Sequence, residues 1–223
     1  MINSLIGELK ENYKIPRVRF INDATAFGVA SLDQPGQNDG TLVAFGTGVG
    51  IAKLQAGGID LSRIDQTGAL SINLASSSTL DPGTEVVGAF ASFGGAGAIS
   101  ELAKKWGLGK IIKVADPGPD EVRRAIESQV GNKPLGVAEA KRVYKGVALH
   151  IKSWMQYLHE IRGDQKFILS GGTMQGTAGD EVLRLVQQGL RQDPNLHSLS
   201  VELSKVNREF GGAIGAAIVA MAE

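Results

Sequence analysis

The chain has 223 residues, enough to bury the core of one α/β domain with a short additional segment. Lys and Arg together number 23, as do Asp and Glu, so no net field favours nucleic acid or an anionic membrane as a partner, and a small molecule fits better. The absence of cysteine excludes disulfides and thiolate metal sites and suits a reducing compartment, so a cytoplasmic location is expected.

The opening MINSLIGELKENYK carries charges where a secretory leader needs an apolar core. Within it, Leu5 to Tyr13 reads as a short amphipathic helix, broken by Pro16, and Val18 to Ile21 reads as a strand ended by Asn22-Asp23. Ala24 to Ala30 continues as a helix. Asp33 to Gly40 is a polar, turn-rich connector of the kind found at a boundary, and the larger lobe is expected after it.

Thr41 to Phe45 and Ile51 to Leu54 read as strands of a hairpin around FGTGVG. Residues 56–84 are poorly periodic, with a Ser-rich run at 76–78. Val86 to Trp106 reads as helical segments interrupted at Gly94-Gly95 and Gly97. Ala138 to Glu160 shows the best helical period, with Val143, Val147, Ile151, Met155 and Leu158 on one stripe.

Lys166 to Leu169 is a short buried strand running into Ser170-Gly171-Gly172. Asp180 to Arg191 is a helix before Pro194, and Leu199 to Leu203 alternates as a strand. The closing FGGAIGAAIVAMA is a small-residue helix suited to close packing, and its apolar stretch, Ala213 to Ala222, is too short to span a bilayer. Strands alternating with helices define the α/β class.

Glycine, at 30 residues, is about twice the average share of roughly 7%. Its clusters beside apolar runs mark places where backbone approaches a ligand or another element. In Gly46-Thr47-Gly48-Val49-Gly50, converging backbone N–H groups can hold phosphate oxygens and the Thr hydroxyl adds a donor or a link to metal-bound water; a plain hairpin turn is the alternative. The turn is not a dinucleotide fingerprint, because Ile51 stands where a third glycine is required and a strand follows. A Walker Gly-Lys-Ser/Thr ending is absent.

At the strand end, the Asp23 carboxylate can accept a proton from a substrate hydroxyl while Asn22 hydrogen-bonds neighbouring hydroxyls, as phosphoryl transfer to an alcohol requires. A helix cap is the alternative there. The Ser170-Gly171-Gly172-Thr173 turn can let an adenine or ribose lie against backbone, and Phe210 to Ala217 reads as packing before ligand contact. His150, His159 and His197 form no metal-ligand pattern and read as helix-surface residues. Lys104-Lys105 and Arg123-Arg124 read as solvated helix charges.

The order of these segments, with INDATAF and VAFGTGVGIAKL as its strongest points, resembles the ROK family of sugar kinases in the hexokinase and actin superfamily. The resemblance runs from about residue 1 to the end. It implies an actin-like ATPase (ribonuclease H-like) lobe with a mixed sheet flanked by helices: residues 1–37 as a remnant of an N-terminal lobe carrying the Asn-Asp segment, and 38–223 as the C-terminal nucleotide-binding lobe. It implies Asp23 as catalytic base, Asn22 and Gly68 at the sugar, Gly46, Thr47 and Gly48 at the phosphates, Gly171 and Gly172 at the nucleotide, and ATP with Mg2+ as cofactors.

Departures from the family pattern are equally specific. The first phosphate loop of Asp-x-Gly-Gly-Thr type precedes the point where this chain begins, and Asp81-Pro82-Gly83-Thr84 reads as a turn. Gln66-Thr67-Gly68-Ala69 stands where the family carries Glu-x-Gly-His, and the zinc loop with its cysteines has no counterpart, so no zinc is expected. A later family Glu corresponds to Gly88. Loss of two acids and a His would leave sugar hydroxyls unpaired.

Hexose phosphorylation by an incomplete or divergent kinase is therefore one expectation, with activity absent or very weak in this chain alone. A non-catalytic sugar- or nucleotide-binding regulatory module is the alternative. A third reading has another copy of the chain covering the exposed inter-lobe surface.

Overall fold

The computed structural model describes residues 11–12, 21–55, 58–59, 67–72, 85–127, 136–206 and 211–221. Its centre is a four-stranded mixed sheet of order β2-β1-β3-β4, built from β1 (Gly40–Phe45), β2 (Val49–Leu54), β3 (Lys166–Ser170) and β4 (Ser200–Leu203). β1 and β2 are the antiparallel hairpin expected from the sequence, in register Phe45↔Val49 through Gly40↔Leu54. β3 lies parallel to β1, and β4 parallel to β3.

Helices cover both faces. One face carries α1 (Asp23–Leu32), where Ala24 packs with Leu42, Ala44, Leu54 and Ile168, and α8 (Gly211–Met221), from the other end of the chain, packs against α1. The other face carries the larger core, under α2 (Ala91–Gly94), α3 (Ala96–Lys105), α4 (Leu108–Ile112), α5 (Pro119–Glu127), α6 (Val137–Arg162) and α7 (Gly176–Arg191). This α/β arrangement is the expected mixed sheet flanked by helices.

The larger core follows from the strand alternation and the helical stripe. Val43, Phe45, Phe167 and Leu169 point from the sheet into it, and the predicted stripe Val143, Val147, Ile151, Met155 and Leu158 is wholly buried against them. Trp154 stacks on Phe90 at 4.6 Å and meets Phe167 edge-on at 5.8 Å, while Phe45 meets Phe90 edge-on at 6.1 Å. Such aromatic pairs add about 0.5–1.5 kcal/mol each beyond the area they bury.

Several boundaries differ from expectation. α7 starts four residues before Asp180, because its first turn, Gly-Thr-Ala-Gly, carries no capping side chain or apolar period to announce it. The helical break in 86–106 falls at Gly95 alone; Gly97 is inside α3, and residues 86–90 form turns and a bridge between Ser71 and Ala89. The helix expected at 5–13 is described only at 11–12 and the strand at 18–21 only at 21, while 76–78 and 81–84 lie outside the described residues.

The polar connector at 33–40 is mostly exposed but is anchored by one buried side chain. Buried Gln37 donates from Nε2 to the Leu203 carbonyl at 2.9 Å and accepts from the Lys205 N–H at 2.9 Å, which ties the entry of β1 to the far strand. At the same end of the sheet, buried Asp164 accepts from the Thr41 hydroxyl at 2.8 Å, from Lys53 Nζ at 2.6 Å and from Arg162 Nε at 3.1 Å. Burial pushes this carboxyl upward, but the three hydrogen bonds outweigh it and hold Asp164 below the usual carboxylate range.

The histidines require a correction. His150 is half-buried on α6 against the Phe93 ring at 4.5 Å, with Nδ1 buried and without a partner among the described residues, so burial, with help from Lys105, pushes its imidazole below the ordinary value. His159 is also half-buried, its Nδ1 3.0 Å from the Asp164 carbonyl, and His197 is exposed in the turn after α7. A helical position next to a ring on a neighbouring element is indistinguishable, in sequence, from a solvated one. The expected solvated charges bear more pairing: Lys104 meets Asp116 at 2.7 Å, and Arg123 meets Asp120 at 3.0 Å.

Candidate active-site cleft

The cleft is built where three local motifs meet. Asn22 has extended backbone and caps α1, its Oδ1 accepting from Ala24 N–H at 3.0 Å and Thr25 N–H at 3.4 Å. The cap thus belongs to Asn22, and Asp23 becomes the first helical residue. Asp23 is exposed; its Oδ1 accepts from the Ala24 N–H at 2.8 Å. A negative charge in the first turn is favourably placed against the helix macrodipole.

The β1–β2 turn is closed by a hydrogen bond from the Gly46 N–H to the Gly48 carbonyl at 2.9 Å, so that donor is engaged. The N–H groups of Thr47 and Gly48 have no partner among the described residues. α3 braces the turn from behind. The Ala96 N–H donates to the Gly46 carbonyl at 2.9 Å, and a β-carbon on Gly95 would fall 2.6 Å from the Thr47 carbonyl oxygen.

The Gly171-Gly172 turn is keyed to the same hairpin. Gly171 has φ +97°, and a β-carbon there would fall 2.2 Å from the Phe45 carbonyl oxygen, which also accepts from the Thr173 hydroxyl at 3.3 Å. Gly172, by contrast, faces open space.

These pieces enclose one cleft of about 550 Å³ at the carboxyl ends of the parallel strands β1 and β3. That is the end of an open α/β sheet where ligands bind. Asn22, Asp23, Gly46, Thr47, Gly48, Gly171 and Gly172 all line it. Gly68 does not: it sits behind β2, where its β-carbon would be 3.2 Å from the Val49 carbonyl and 3.4 Å from Ile51 Cδ1.

Among the described residues, Asp23 is the one ionisable residue of the lining. Among the described residues of the lining, a phosphate held at the turn would therefore meet backbone N–H groups and the Thr47 hydroxyl, without a lysine or arginine. Among the described residues no group of three or more His, Cys, Asp or Glu could hold a metal. Nor, among them, is any helix long and apolar enough to cross a membrane.

Phe27 and Ala44, which carry no expected role in the sequence, also line the cleft, as does Gly50 of the expected turn, and Gly212 and Ala213 line it although Phe210 to Ala217 reads as packing before ligand contact. Ser170, inside the strand-glycine motif, has a wholly buried hydroxyl with no hydrogen-bond partner among the described residues. Across the sheet, Gly50, Ala44 and Ser170 form one row.

No protein-family profile matches the sequence, and no curated protein is detectably similar to it. Solved structures are similar in fold. A ROK family glucokinase from Streptomyces griseus, in complex with glucose and AMPPNP, superposes with a TM-score of 0.74 at 17% identity, over 96% of this chain and 70% of that one. A ROK family transcriptional regulator, homologous to the Escherichia coli MLC protein, gives 0.73 at 16% identity, over 97% of this chain and 54% of that one. The ROK hexokinase from Thermus thermophilus gives 0.63 at 16% identity, over 88% of this chain. This chain spans 62% of that hexokinase, and so is partial relative to it. The fold is that of ROK-family sugar kinases and is shared with a regulator of the same family.

Proposed function

We propose that this chain is the nucleotide-binding lobe and catalytic-base segment of an ATP-dependent sugar kinase acting on a hexose hydroxyl, in the cytoplasm. The observation that carries the reading is the single cleft shared by the Asp23 carboxylate, the Gly46-Thr47-Gly48 turn and the Gly171-Gly172 turn. Similarity to a glucokinase solved with glucose and AMPPNP supports it.

In this reading the triphosphate lies along the hairpin turn, where the N–H groups of Thr47 and Gly48 and the Thr47 hydroxyl bind its oxygens. Gly172, with no side chain, lets the nucleoside lie against the backbone at the end of β3. The hexose sits beside Asp23, with the Asn22 amide N–H2 donating to a sugar hydroxyl, since the amide oxygen is held by the helix. Gly68, outside the cleft, supports Val49 from behind and does not touch the sugar in this reading.

As the sugar oxygen bonds to the γ-phosphorus, the bond from that phosphorus to the β-bridging oxygen breaks, ADP leaves, and Asp23 accepts the hydroxyl proton. Alignment of the two substrates in one cleft, together with electrostatic stabilisation of the transferring phosphoryl group, supplies almost all of the acceleration in such a reaction. Oxygen donors suit Mg2+, which would be held by phosphate oxygens and water with the Thr47 hydroxyl nearby, and which supplies charge neutralisation on the phosphates.

Titration calorimetry with AMPPNP and Mg2+, then with glucose, tests the reading, followed by a coupled assay of ATP and several hexoses. Saturable nucleotide binding that is lost in Gly48→Val is expected. No nucleotide binding at millimolar concentration would overturn it. A second reading, a non-catalytic sugar-responsive module, is favoured by the equally good superposition on the regulator; it predicts glucose binding without nucleotide binding.

A further inference from the structure

The glycines of the hairpin do different work. A β-carbon on Gly46 or Gly48 would meet nothing within 4 Å, so the bare backbone there faces open space. On Gly50 it would fall 2.7 Å from Ala24 Cβ and 3.2 Å from Asp23 Oδ1. The first distance is shorter than carbon atoms tolerate. Neither neighbour is the loose end of a long side chain: Ala24 is fully buried, and Asp23 Oδ1 is fastened to the Ala24 N–H.

Nor can α1 simply step back. Its opposite side is held by α8, where a β-carbon on Gly215 would fall 1.7 Å from the Ala26 carbonyl oxygen. The first turn of α1 is therefore clamped between β2 and α8 at two glycines.

We infer that Gly50 is a positioning residue for the Asp23 carboxylate: its missing side chain lets the first turn of α1 lie on β2 and so sets the spacing between the carboxylate and the phosphate turn. This rests on the kinase reading above. Gly50 is paired with Ala44 two residues beyond the turn, so the turn and the seat of the carboxylate share one strand. A methyl at position 50 displaces α1 while leaving Gly46, Thr47 and Gly48 where they are. Proton transfer needs heavy atoms about 2.6–3.2 Å apart, and a displacement of about 1 Å costs on the order of 100-fold.

The test compares the wild-type chain with Gly50→Ala and with Gly50→Ala combined with Ala24→Gly, which removes the clashing methyl. AMPPNP and glucose affinities are read by calorimetry, hexose phosphorylation as kcat and KM, and folding by circular dichroism and thermal unfolding. In Gly50→Ala, AMPPNP affinity stays within about twofold while glucose affinity falls about tenfold and kcat on the order of 100-fold; the second substitution recovers about tenfold of kcat.

Equal loss of AMPPNP affinity would assign Gly50 to the phosphate turn and overturn the inference. So would unchanged glucose affinity and kcat in a folded Gly50→Ala chain. If Gly50→Ala alone fails to fold, the double variant decides: refolding with activity supports the inference, and refolding without it overturns it. A wild-type chain that binds neither AMPPNP nor glucose refutes the kinase reading itself, and the inference with it, which is a different outcome from a wild type that binds both and a variant that is unaffected.

Discussion

Gly171 lies against Phe45 so closely that a β-carbon would come within 2.2 Å of the Phe45 carbonyl oxygen and 2.5 Å of its nitrogen. This contact holds the end of β3 against the end of β1, and with it the two glycine turns on either side of the cleft.

Replacement of Gly171 by Ala combines a backbone clash with a φ of +97°, so it should destabilise by about 2–4 kcal/mol. Gly172→Ala meets open space and should change stability by no more than about 0.5 kcal/mol, while lowering nucleotide affinity. Urea unfolding of both variants with AMPPNP titration checks the contrast. Equal destabilisation by the two would contradict it.

Asn22 joins two roles, and substitution separates them. Asn22→Ala removes the α1 cap and should cost about 1 kcal/mol of stability, whereas Asn22→Asp keeps a capping oxygen and the stability. The Asp variant lacks the amide donor and sets a second carboxylate beside Asp23, so its glucose affinity should fall. Denaturant melts paired with calorimetry distinguish the effects.

Asp164 should shape the acid limb of stability. Its carboxyl is depressed in the folded chain, so the stabilisation it gives is present above the unfolded carboxylate value of about 3.9 and is lost as pH falls through the folded value. Asp164→Asn should cost about 2–3 kcal/mol at pH 7, below the usual figure for a broken buried pair because Lys53 and Arg162 are partly exposed and can turn to water. The difference between variant and wild type should shrink steadily below about pH 4, measured by thermal unfolding across pH.

His150 acts at milder acidity. Burial, then Lys105, depresses its imidazole, so the folded chain favours the neutral ring and stability is full above the unfolded value of about 6.5. As pH falls below that value the folded state loses stability relative to the unfolded one. His150→Leu should remove this loss, so the variant gains on wild type between about pH 6.5 and 5. A constant difference across that interval would show that the ring does not titrate differentially.

Read alone, the sequence settled those features that are written in neighbouring residues. The hairpin around FGTGVG, the 26-residue α6, the short strand at β3 and the small-residue α8 were legible because alternation, helical period and glycine punctuation are local patterns. α4 was not, being five residues long and entered from a glycine, and α5 was legible only in its helix charges Arg123-Arg124, although Val122, Ala125 and Ile126 lie on one stripe. Only the tertiary structure assigned the glycines their work: Gly46, Gly48 and Gly172 open the cleft, Gly50 and Gly171 fill contacts beneath it, and Gly68 lies behind the strand. A glycine's role depends on what occupies the space its absent β-carbon would take, and that neighbour comes from a distant part of the chain.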